Sequence, residues 1–306
     1  MTPPLDINEE VRDALADRRP VVALESSLIA HGPGYPLNVE IATGIEKAVR
    51  DAGAVPATIG IVDGRFVVGM DDTTIDRFGR SGDIAKVSAR DLGLVLARGD
   101  LGATTVASTI VIAQLAGIPV FSTAGIGGVH RGVQQTLDIS ADLQQFTRTR
   151  IVVVCAGAKS ILDLPKTVEY LETAGVPVLG YRFDEFPAFY ARNSGIPVTR
   201  VDEMETAARA ARLHWDLNGD STVLLTAPIP EEDALPQEDI DNAVGDALTE
   251  AERSGITGNA LSPFLMKAVV EATGGRSGKA TKAVLISNAR LSGELAVAMS
   301  ATGEQG

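Results

Sequence analysis

The chain has 306 residues, a hydrophobic content of 45% and a formal net charge of −13. These values predict a globular protein, and no apolar run approaches the ~20 residues needed to span a membrane. An acidic surface disfavours nucleic acid and anionic membranes as partners, but a local cationic pocket can still bind a small phosphorylated molecule. The single cysteine, Cys155, excludes an internal disulfide. The charged start of the chain lacks the apolar segment of a signal peptide, so we expect a cytoplasmic protein.

Apolar runs alternate with helical patterns along most of the chain. The predicted strands cover residues 21–24, 58–62, 65–68, 120–122, 151–155, 176–180 and 222–226. Asp63-Gly64 joins the second and third strands and predicts a hairpin, which makes the sheet mixed. The predicted helices start at Asn38 and near Thr104 or Thr105, and others cover residues 167–173, 240–254, 263–273 and 279–301.

This alternation predicts an α/β fold, a three-layer α/β/α sandwich with a mixed, mostly parallel central sheet. We expect a single domain over residues 1–306, with short flexible tails at about 1–10 and 298–306. Ligands of such folds bind at the carboxyl ends of the strands. Glu25, the loop 123–132 and Lys159 each follow a predicted strand, so the pattern indicates one shared site.

Two residues at this edge are candidates for chemistry. Lys159 follows a buried strand and two small residues, and a lysine amine held in an apolar pocket can attack a carbonyl group. Its alternative is a lysine that extends from the strand end into solvent. Glu25 is suited to proton transfer if it is partly buried, and its alternative is to cap a nearby turn through backbone N–H groups.

Other polar residues suggest binding sites, each with a structural alternative. Asp138 and Asp142 are spaced to share one helix face and could bind Mg²⁺ or Mn²⁺, although aspartates also cap helices. The loop 125–132 lacks both the dinucleotide fingerprint and the P-loop signature, so it either contacts an anion, with His130 and Arg131, or forms a tight turn. Lys86 could bind a phosphate with help from the helix start at 104–105, or lie on a solvated surface.

Longer ordered motifs carry a resemblance to a known family. The chain is similar to the pseudouridine-5′-phosphate glycosidase family, also called indigoidine synthase A-like, over about residues 10–295. The motifs that match include Ala23-Leu24-Glu25-Ser26-Ser27, His31-Gly32, Lys86-Val87-Ser88, Gly102-Ala103-Thr104-Thr105-Val106-Ala107, Gly125–Gly132, Asp138-Ile139-Ser140-Ala141-Asp142-Leu143, Cys155-Ala156-Gly157-Ala158-Lys159-Ser160 and Asp184-Glu185-Phe186-Pro187.

The resemblance implies roles for individual residues. Lys159 matches the covalent lysine of the family, Glu25 its proton donor, and Asp138 its metal ligand, with Mn²⁺ as the expected ion and Mg²⁺ or another divalent ion as the alternative. The substrate contacts that it implies are Lys86, Val106, Ser140, Ala141 and Asp142, and we add His130 and Asn288 as candidate contacts. It also implies a homotrimer that acts on a small molecule.

The expected activity is a reversible cleavage of the carbon–carbon glycosidic bond of pseudouridine 5′-phosphate, giving uracil and ribose 5-phosphate. The expected route passes through ring opening and a lysine imine, and the enzyme would belong to the carbon–oxygen lyases of nucleotide catabolism. Three alternatives stay open: a carbohydrate kinase, a non-catalytic sensor of ribose phosphates or uracil, and a lyase that acts on another C-nucleotide.

Overall fold

The structure of the chain is a computed structural model that describes residues 3–302. Eleven strands are present in this part of the chain: β1 Leu5–Ile7, β2 Val21–Glu25, β3 Val55–Val62, β4 Arg65–Val68, β5 Ala85–Val87, β6 Gly102–Thr104, β7 Val120–Ser122, β8 Val152–Cys155, β9 Val178–Tyr181, β10 Thr199–Val201 and β11 Val223–Thr226.

The helices connect and cover these strands. They are α1 Glu9–Ala16, α2 Ser27–His31, α3 Leu37–Asp51, α4 Asp72–Arg80, α5 Leu92–Arg98, α6 Val106–Ala116, α7 Val133–Thr136, α8 Ala141–Phe146, α9 Leu164–Thr173, α10 Met204–Asn218, α11 Gln237–Arg253, α12 Leu261–Ala272 and α13 Arg276–Thr302. Within residues 3–302, no helix combines the length and apolar character that crossing a membrane requires.

The strands form one mixed sheet in the order β1-β4-β3-β2-β7-β8-β11-β9-β10, and β5 and β6 branch from it where β6 pairs with β3. The pairs β3–β4 and β3–β6 are antiparallel. The remaining pairs of these strands are parallel, including the central series β3–β2–β7–β8–β11. The prediction of a mixed, mostly parallel sheet is confirmed.

Alternate residues of the central strands face two different helical layers. Along β8, Val153 and Cys155 pack into a core with α1, α6, α8, α11 and α12. Val152 and Val154, which point the other way, pack into a second core with α3, α10 and α13. Since both faces of the sheet are buried, its central strands such as β8 are apolar on both faces. The predicted three-layer α/β/α sandwich is confirmed.

Several local signals act as expected. The hairpin forms where predicted, with Val62 paired to Arg65. Thr105 is the N-cap of α6, and Gly117 ends that helix in the left-handed conformation with φ of +79°, a backbone state that glycine adopts easily. Burial raises the pKa of Cys155 to about 12, so this thiol is an inert core residue.

Other expectations are wrong. Asn38 does not cap α3; it lies inside the first turn, and its side-chain amide donates to the carbonyl groups of Ile29 and Gly79. Regular elements also extend into the expected tails. Strand β1 pairs with β4 within the expected tail 1–10, and α13 continues to Thr302 with Met299 buried. In each case the determining contact is distant in sequence.

Candidate functional site

The carboxyl ends of three neighbouring strands meet at one edge of the sheet. Strand β2 ends at Glu25, β7 is followed by Thr123, and β8 leads through residues 156–158 to Lys159. Because β7 pairs in parallel with both β2 and β8, the three residues leave the sheet side by side, where α/β sheets bind ligands. The predicted gathering of these segments at one edge is confirmed.

Two hydroxyl groups hold the Glu25 carboxylate. Thr123 Oγ1 donates to Oε1 at 2.6 Å, and the Ser27 hydroxyl donates to Oε2. Asn288 Nδ2, on α13, donates to the carbonyl of Thr123 at 2.8 Å and thereby fixes the position of that threonine. Glu25 remains partly accessible. The donors to its carboxylate are these two hydroxyl groups, which disfavours the alternative in which Glu25 caps a turn through backbone N–H groups.

Lys159 lies among charged side chains at the same edge. Its residue is half-buried, and its positive charge acts on Lys86, His130 and Asp142. Its backbone N–H donates to the carbonyl of Ile126 at 3.1 Å, which ties the lysine segment to the glycine-rich loop. Lys159 therefore belongs to a polar cluster, which disfavours the alternative of a lysine that simply extends into solvent.

Lys86, in β5, completes the cationic side of this cluster. The residue as a whole is exposed, but protein atoms surround its terminal amine. This local burial of the amine lowers the pKa of Lys86. The positive charge of Lys159 lowers that pKa further, whereas the carboxylates of Glu25 and Asp142 raise it. Two neighbouring charged amines repel each other, and an anion that binds between them stabilises the charged form of both.

Asp142 is buried and its carboxylate is occupied by backbone donors. The N–H of Gly127 donates to Oδ2 at 2.8 Å, and the N–H of Ala107, at the start of α6, donates to Oδ1 at 3.0 Å. Burial raises the pKa of Asp142, whereas the charge of Lys159 and these two N–H groups lower it. Asp142 thus accepts a hydrogen bond from one of the N–H groups at the start of α6, the helix start that the sequence predicts to assist phosphate binding.

The glycine-rich loop 125–132 serves mainly to pack segments together. Its N–H groups at Ile126, Gly127, Val129 and His130 all donate to other protein atoms, so the anion-loop alternative is wrong for these four. A side chain at Gly127 would lie 2.1 Å from Ser140 Oγ, and one at Gly128 would lie 2.4 Å from Thr167 Oγ1. Glycine is required at both positions because two segments approach closely.

His130 and Arg131 have different environments. His130 is buried, with Nε2 at 3.4 Å from Ser262 Oγ and Nδ1 at 4.0 Å from Asp138 Oδ2. Burial lowers the pKa of His130, and Lys159 lowers it further, against an opposing effect of Asp138. The guanidinium of Arg131 instead binds two carbonyl groups and Asp241, so its interpretation as an anion contact is wrong.

Comparison with known proteins identifies the family. Residues 10–298 match the family model described as "Indigoidine synthase A like protein". The chain belongs to this family. Two relatives named "Pseudouridine-5′-phosphate glycosidase" come from Dickeya dadantii and Caldanaerobacter subterraneus. The match to the first is 54% identical and covers 96% of this chain and 93% of the relative's chain. The second is 51% identical and covers 96% of each.

Solved structures of indigoidine synthase A-like proteins agree with the fold. The chain is 56% identical to the prealnumycin C-glycosynthase AlnA, solved in complex with ribulose 5-phosphate, with a TM-score of 0.93 over 99% of both chains. It is 33% identical to an indigoidine synthase A-like protein from Thermotoga maritima, with a TM-score of 0.89 over 98% of both. The chain is therefore an enzyme of the indigoidine synthase A-like family.

The arrangement of Asp138 differs from the expectation for two metal-binding aspartates. Helix α8 begins at Ala141 with Ser140 as its N-cap, so Asp138 precedes the helix and does not share a face with Asp142. Within residues 3–302, no group of three or more His, Cys, Asp or Glu side chains is placed to hold a metal. The Asp138 carboxylate, 30% exposed, fits an ion that keeps most of its water ligands, as Mg²⁺ commonly does.

The remaining predicted contacts lie at the starts of α6 and α8. Val106 is the first residue of α6, and its N–H has no acceptor among residues 3–302. The Ser140 hydroxyl accepts the N–H of Asp142 at 3.2 Å, and Ala141 is exposed beside it. Both helix starts therefore face the edge of the sheet that carries the charged cluster.

Sequence patterns alone do not single out the two hydroxyl groups that orient Glu25. Ser27 lies two positions after Glu25, and Thr123 directly follows β7. The available signal is a hydroxyl residue immediately after a buried strand at the edge where ligands bind. That signal is weak on its own, because serine and threonine also begin helices and turns.

Proposed function

We propose that this chain cleaves the carbon–carbon glycosidic bond of pseudouridine 5′-phosphate to give uracil and ribose 5-phosphate. The observation that carries the proposal is the meeting of Glu25, Lys159 and Lys86 at one sheet edge. Relatives about half identical to the chain and named pseudouridine-5′-phosphate glycosidase support it. A kinase is disfavoured, because the N–H groups of the glycine-rich loop are engaged within the protein.

Uracil leaves through carbon and takes the electrons of the C1′–C5 bond, so the reaction needs an electron-pair donor at C1′ that stabilises the positive charge left there. Glu25 donates the proton that opens the ribose ring at the C1′–O4′ bond, and the amine of Lys159 bonds to C1′. The C1′–C5 bond then breaks as C5 of uracil gains a proton, and its departure leaves an imine between C1′ and Lys159. Water hydrolyses the imine to the aldehyde of ribose 5-phosphate. Covalent catalysis of this kind replaces one difficult step by easier ones.

Recognition of the phosphate is assigned to the cationic side of the site. Lys86 supplies a charge, and the N–H of Val106 supplies a donor at the N-terminus of α6. Helix N-termini favour anions because their first N–H groups lack partners and the helix dipole is positive there. A dianion at this place also offsets the repulsion between Lys86 and Lys159, which gives the phosphorylated substrate an advantage.

We assign a divalent ion, Mn²⁺ or Mg²⁺, to Asp138, with His130 beside it. When bound, such an ion supplies positive charge that orients ligands and stabilises developing negative charge. Removal of metal by a chelator, followed by addition of Mn²⁺, tests this assignment. Restored turnover supports it, and full turnover in the chelated protein contradicts it. We also propose a homotrimer, which light scattering tests directly.

A second candidate function is C-glycoside synthesis on an acceptor other than uracil. The specific observation in its favour is the 56% identity to the prealnumycin C-glycosynthase AlnA. Synthesis makes the type of bond that the glycosidase breaks, so the same lysine and carboxylate serve both directions. The two functions differ in the group joined to C1′ and in which direction is faster.

Release of uracil tests the proposal. The purified protein is incubated with pseudouridine 5′-phosphate, with pseudouridine and uridine 5′-phosphate as separate controls. We expect uracil from the first compound, much less from the second because it lacks the phosphate, and none from the third. Incubation of ribose 5-phosphate with uracil measures the reverse reaction. No uracil from pseudouridine 5′-phosphate would reject the glycosidase and favour the second candidate.

A further inference from the structure

Lys159 is the first residue of a tight turn. The N–H of Leu162 donates to the carbonyl of Lys159 at 3.0 Å, which closes the turn over residues 159–162. Ser160 and Leu162 are both buried, so their carbonyl oxygens need donors from the protein. The position of the Lys159 amine depends on how firmly this turn is held.

One guanidinium group supplies donors to both carbonyl groups. Arg131 Nη2 lies 3.3 Å from the oxygen of Ser160, and Arg131 Nε lies 3.4 Å from that of Leu162. The same Nη2 donates to Asp241 Oδ1, on α11, at 3.0 Å. Asp241 Oδ2 accepts from Gln237 Nε2 at 3.1 Å, so both oxygens of this carboxylate have donors.

These contacts form a connection from α11 through Arg131 to the turn that carries Lys159. We propose that Arg131, fixed by Asp241, is a positioning residue that holds Lys159 where its amine reaches C1′ of the sugar. This inference rests on the proposed function of Lys159 and extends it, because it assigns a role to a pair of residues outside the reacting groups. Arg131 suits the task because its planar fork presents several donors in a fixed geometry, which a lysine cannot do.

The expected effect on catalysis follows from the geometry of nucleophilic attack. A displacement of about 1 Å of a reacting group can reduce the rate about 10²-fold. Loss of the guanidinium leaves two buried carbonyl groups of the turn without their donor, but Lys86 and the start of α6 stay in place. The rate of bond formation at Lys159 should therefore fall, while binding of the sugar phosphate should not.

The chain offers a matched control for this pair on the same helix. Asp239, two positions before Asp241 on α11, accepts from Arg276 Nη2 at 3.0 Å, the same distance as in the Arg131–Asp241 pair. The Arg276 guanidinium contacts the carbonyl of Thr273 and does not reach the Lys159 turn. Arg276→Lys and Asp239→Asn thus remove a comparable ion pair to α11 without touching the turn.

The experiment compares Arg131→Lys and Asp241→Asn with these controls and with the wild-type protein. The readouts are kcat and KM for uracil release, equilibrium binding of ribose 5-phosphate, the rate of borohydride trapping at Lys159, and the melting temperature. We expect kcat and the trapping rate to fall about 10²-fold in Arg131→Lys and by a smaller factor in Asp241→Asn. KM and ribose 5-phosphate binding should stay close to wild type, and both control variants should stay fully active.

Three results would overturn the inference: a kcat within about threefold of wild type in folded Arg131→Lys, a loss in KM alone, or an equal loss of kcat in Arg276→Lys. If Arg131→Lys does not fold, a wild-type kcat in folded Asp241→Asn also rejects it. Failure of the proposed function is distinguishable, because the wild-type protein itself would then release no uracil.

Discussion

The two sides of the site are built differently. On one side, Glu25 accepts hydrogen bonds from Ser27 and Thr123, and Thr123 is held by the buried Asn288. On the other side, Lys86 is exposed and the N–H of Val106 lacks an acceptor within residues 3–302. The group that transfers a proton is oriented before substrate arrives, whereas the groups that bind an anion are left open for it. This difference separates variants that should change kcat from variants that should change KM.

The largest effect in this comparison is expected from Glu25→Gln. The substitution keeps the size of the side chain and removes the group that donates and accepts the proton, so kcat should fall about 10²–10⁴-fold. Steady-state kinetics of uracil release measures it. Glu46→Gln is the matched control, because Glu46 is a half-buried glutamate that accepts a hydroxyl hydrogen bond from Thr58 away from the site. Equal activity of the Glu25 variant and wild type would remove the proton-transfer role.

Lys86→Gln should act mainly on KM. Hydrogen bonds to charged groups contribute about 1.5–3 kcal/mol, so we expect KM for pseudouridine 5′-phosphate to rise about 10–100-fold with a smaller change in kcat. The preference for the phosphorylated substrate over pseudouridine should shrink by the same factor. Lys47→Gln, an exposed lysine on α3, serves as the control. An unchanged preference in Lys86→Gln would place the phosphate elsewhere.

A smaller effect is expected from Thr123→Val, which removes one of the two hydroxyl donors to Glu25 and keeps the shape of the residue. We expect kcat to fall about tenfold, the equivalent of one charged hydrogen bond, with little change in KM. Thr226→Val is the control, because Thr226 is also a buried threonine at a strand end but donates to the carbonyl of Leu179. A change confined to KM would mean that Thr123 contacts substrate and does not orient Glu25.

The smallest effect concerns stability and pH. Burial lowers the pKa of His130 in the folded protein, whereas an unfolded histidine titrates near 6.5. Below about pH 6.5 the unfolded chain binds a proton that the folded site resists, so stability is lost on acidification, by at most about 1.4 kcal/mol per pH unit. Melting temperatures at pH 7.5 and 5.5 should differ less in His130→Asn than in wild type. An equal difference in both proteins would contradict this reasoning.

Local patterns predicted much of the fold. Runs such as Val152–Cys155 are apolar on both faces because helices cover both sides of the sheet, and this signal is contained in a few adjacent residues. The same logic placed Glu25 and Lys159 at strand ends. Their common edge follows from the parallel pairing of neighbouring strands.

Most of the failed expectations depended on contacts that are distant in sequence, and one depended on where a helix begins. The spacing of Asp138 and Asp142 is helical, but Ser140 starts the helix between them. The sequence makes Arg131 a cation near a glycine-rich loop, and only the fold brings Asp241 and the carbonyl groups of the Lys159 turn to it. Asn38, likewise, binds the carbonyl groups of two segments that its own neighbourhood does not contain.

Covalent trapping tests most directly the claim that Lys159 bonds to C1′ of the sugar. The protein is incubated with pseudouridine 5′-phosphate and borohydride, digested and examined by mass spectrometry, with Lys159→Ala as the control. We predict a reduced ribose 5-phosphate adduct on Lys159 in the wild-type protein and none in the variant, whose turnover should fall at least about 10³-fold. Uracil release without any adduct, or an adduct on Lys86 instead, would contradict the account.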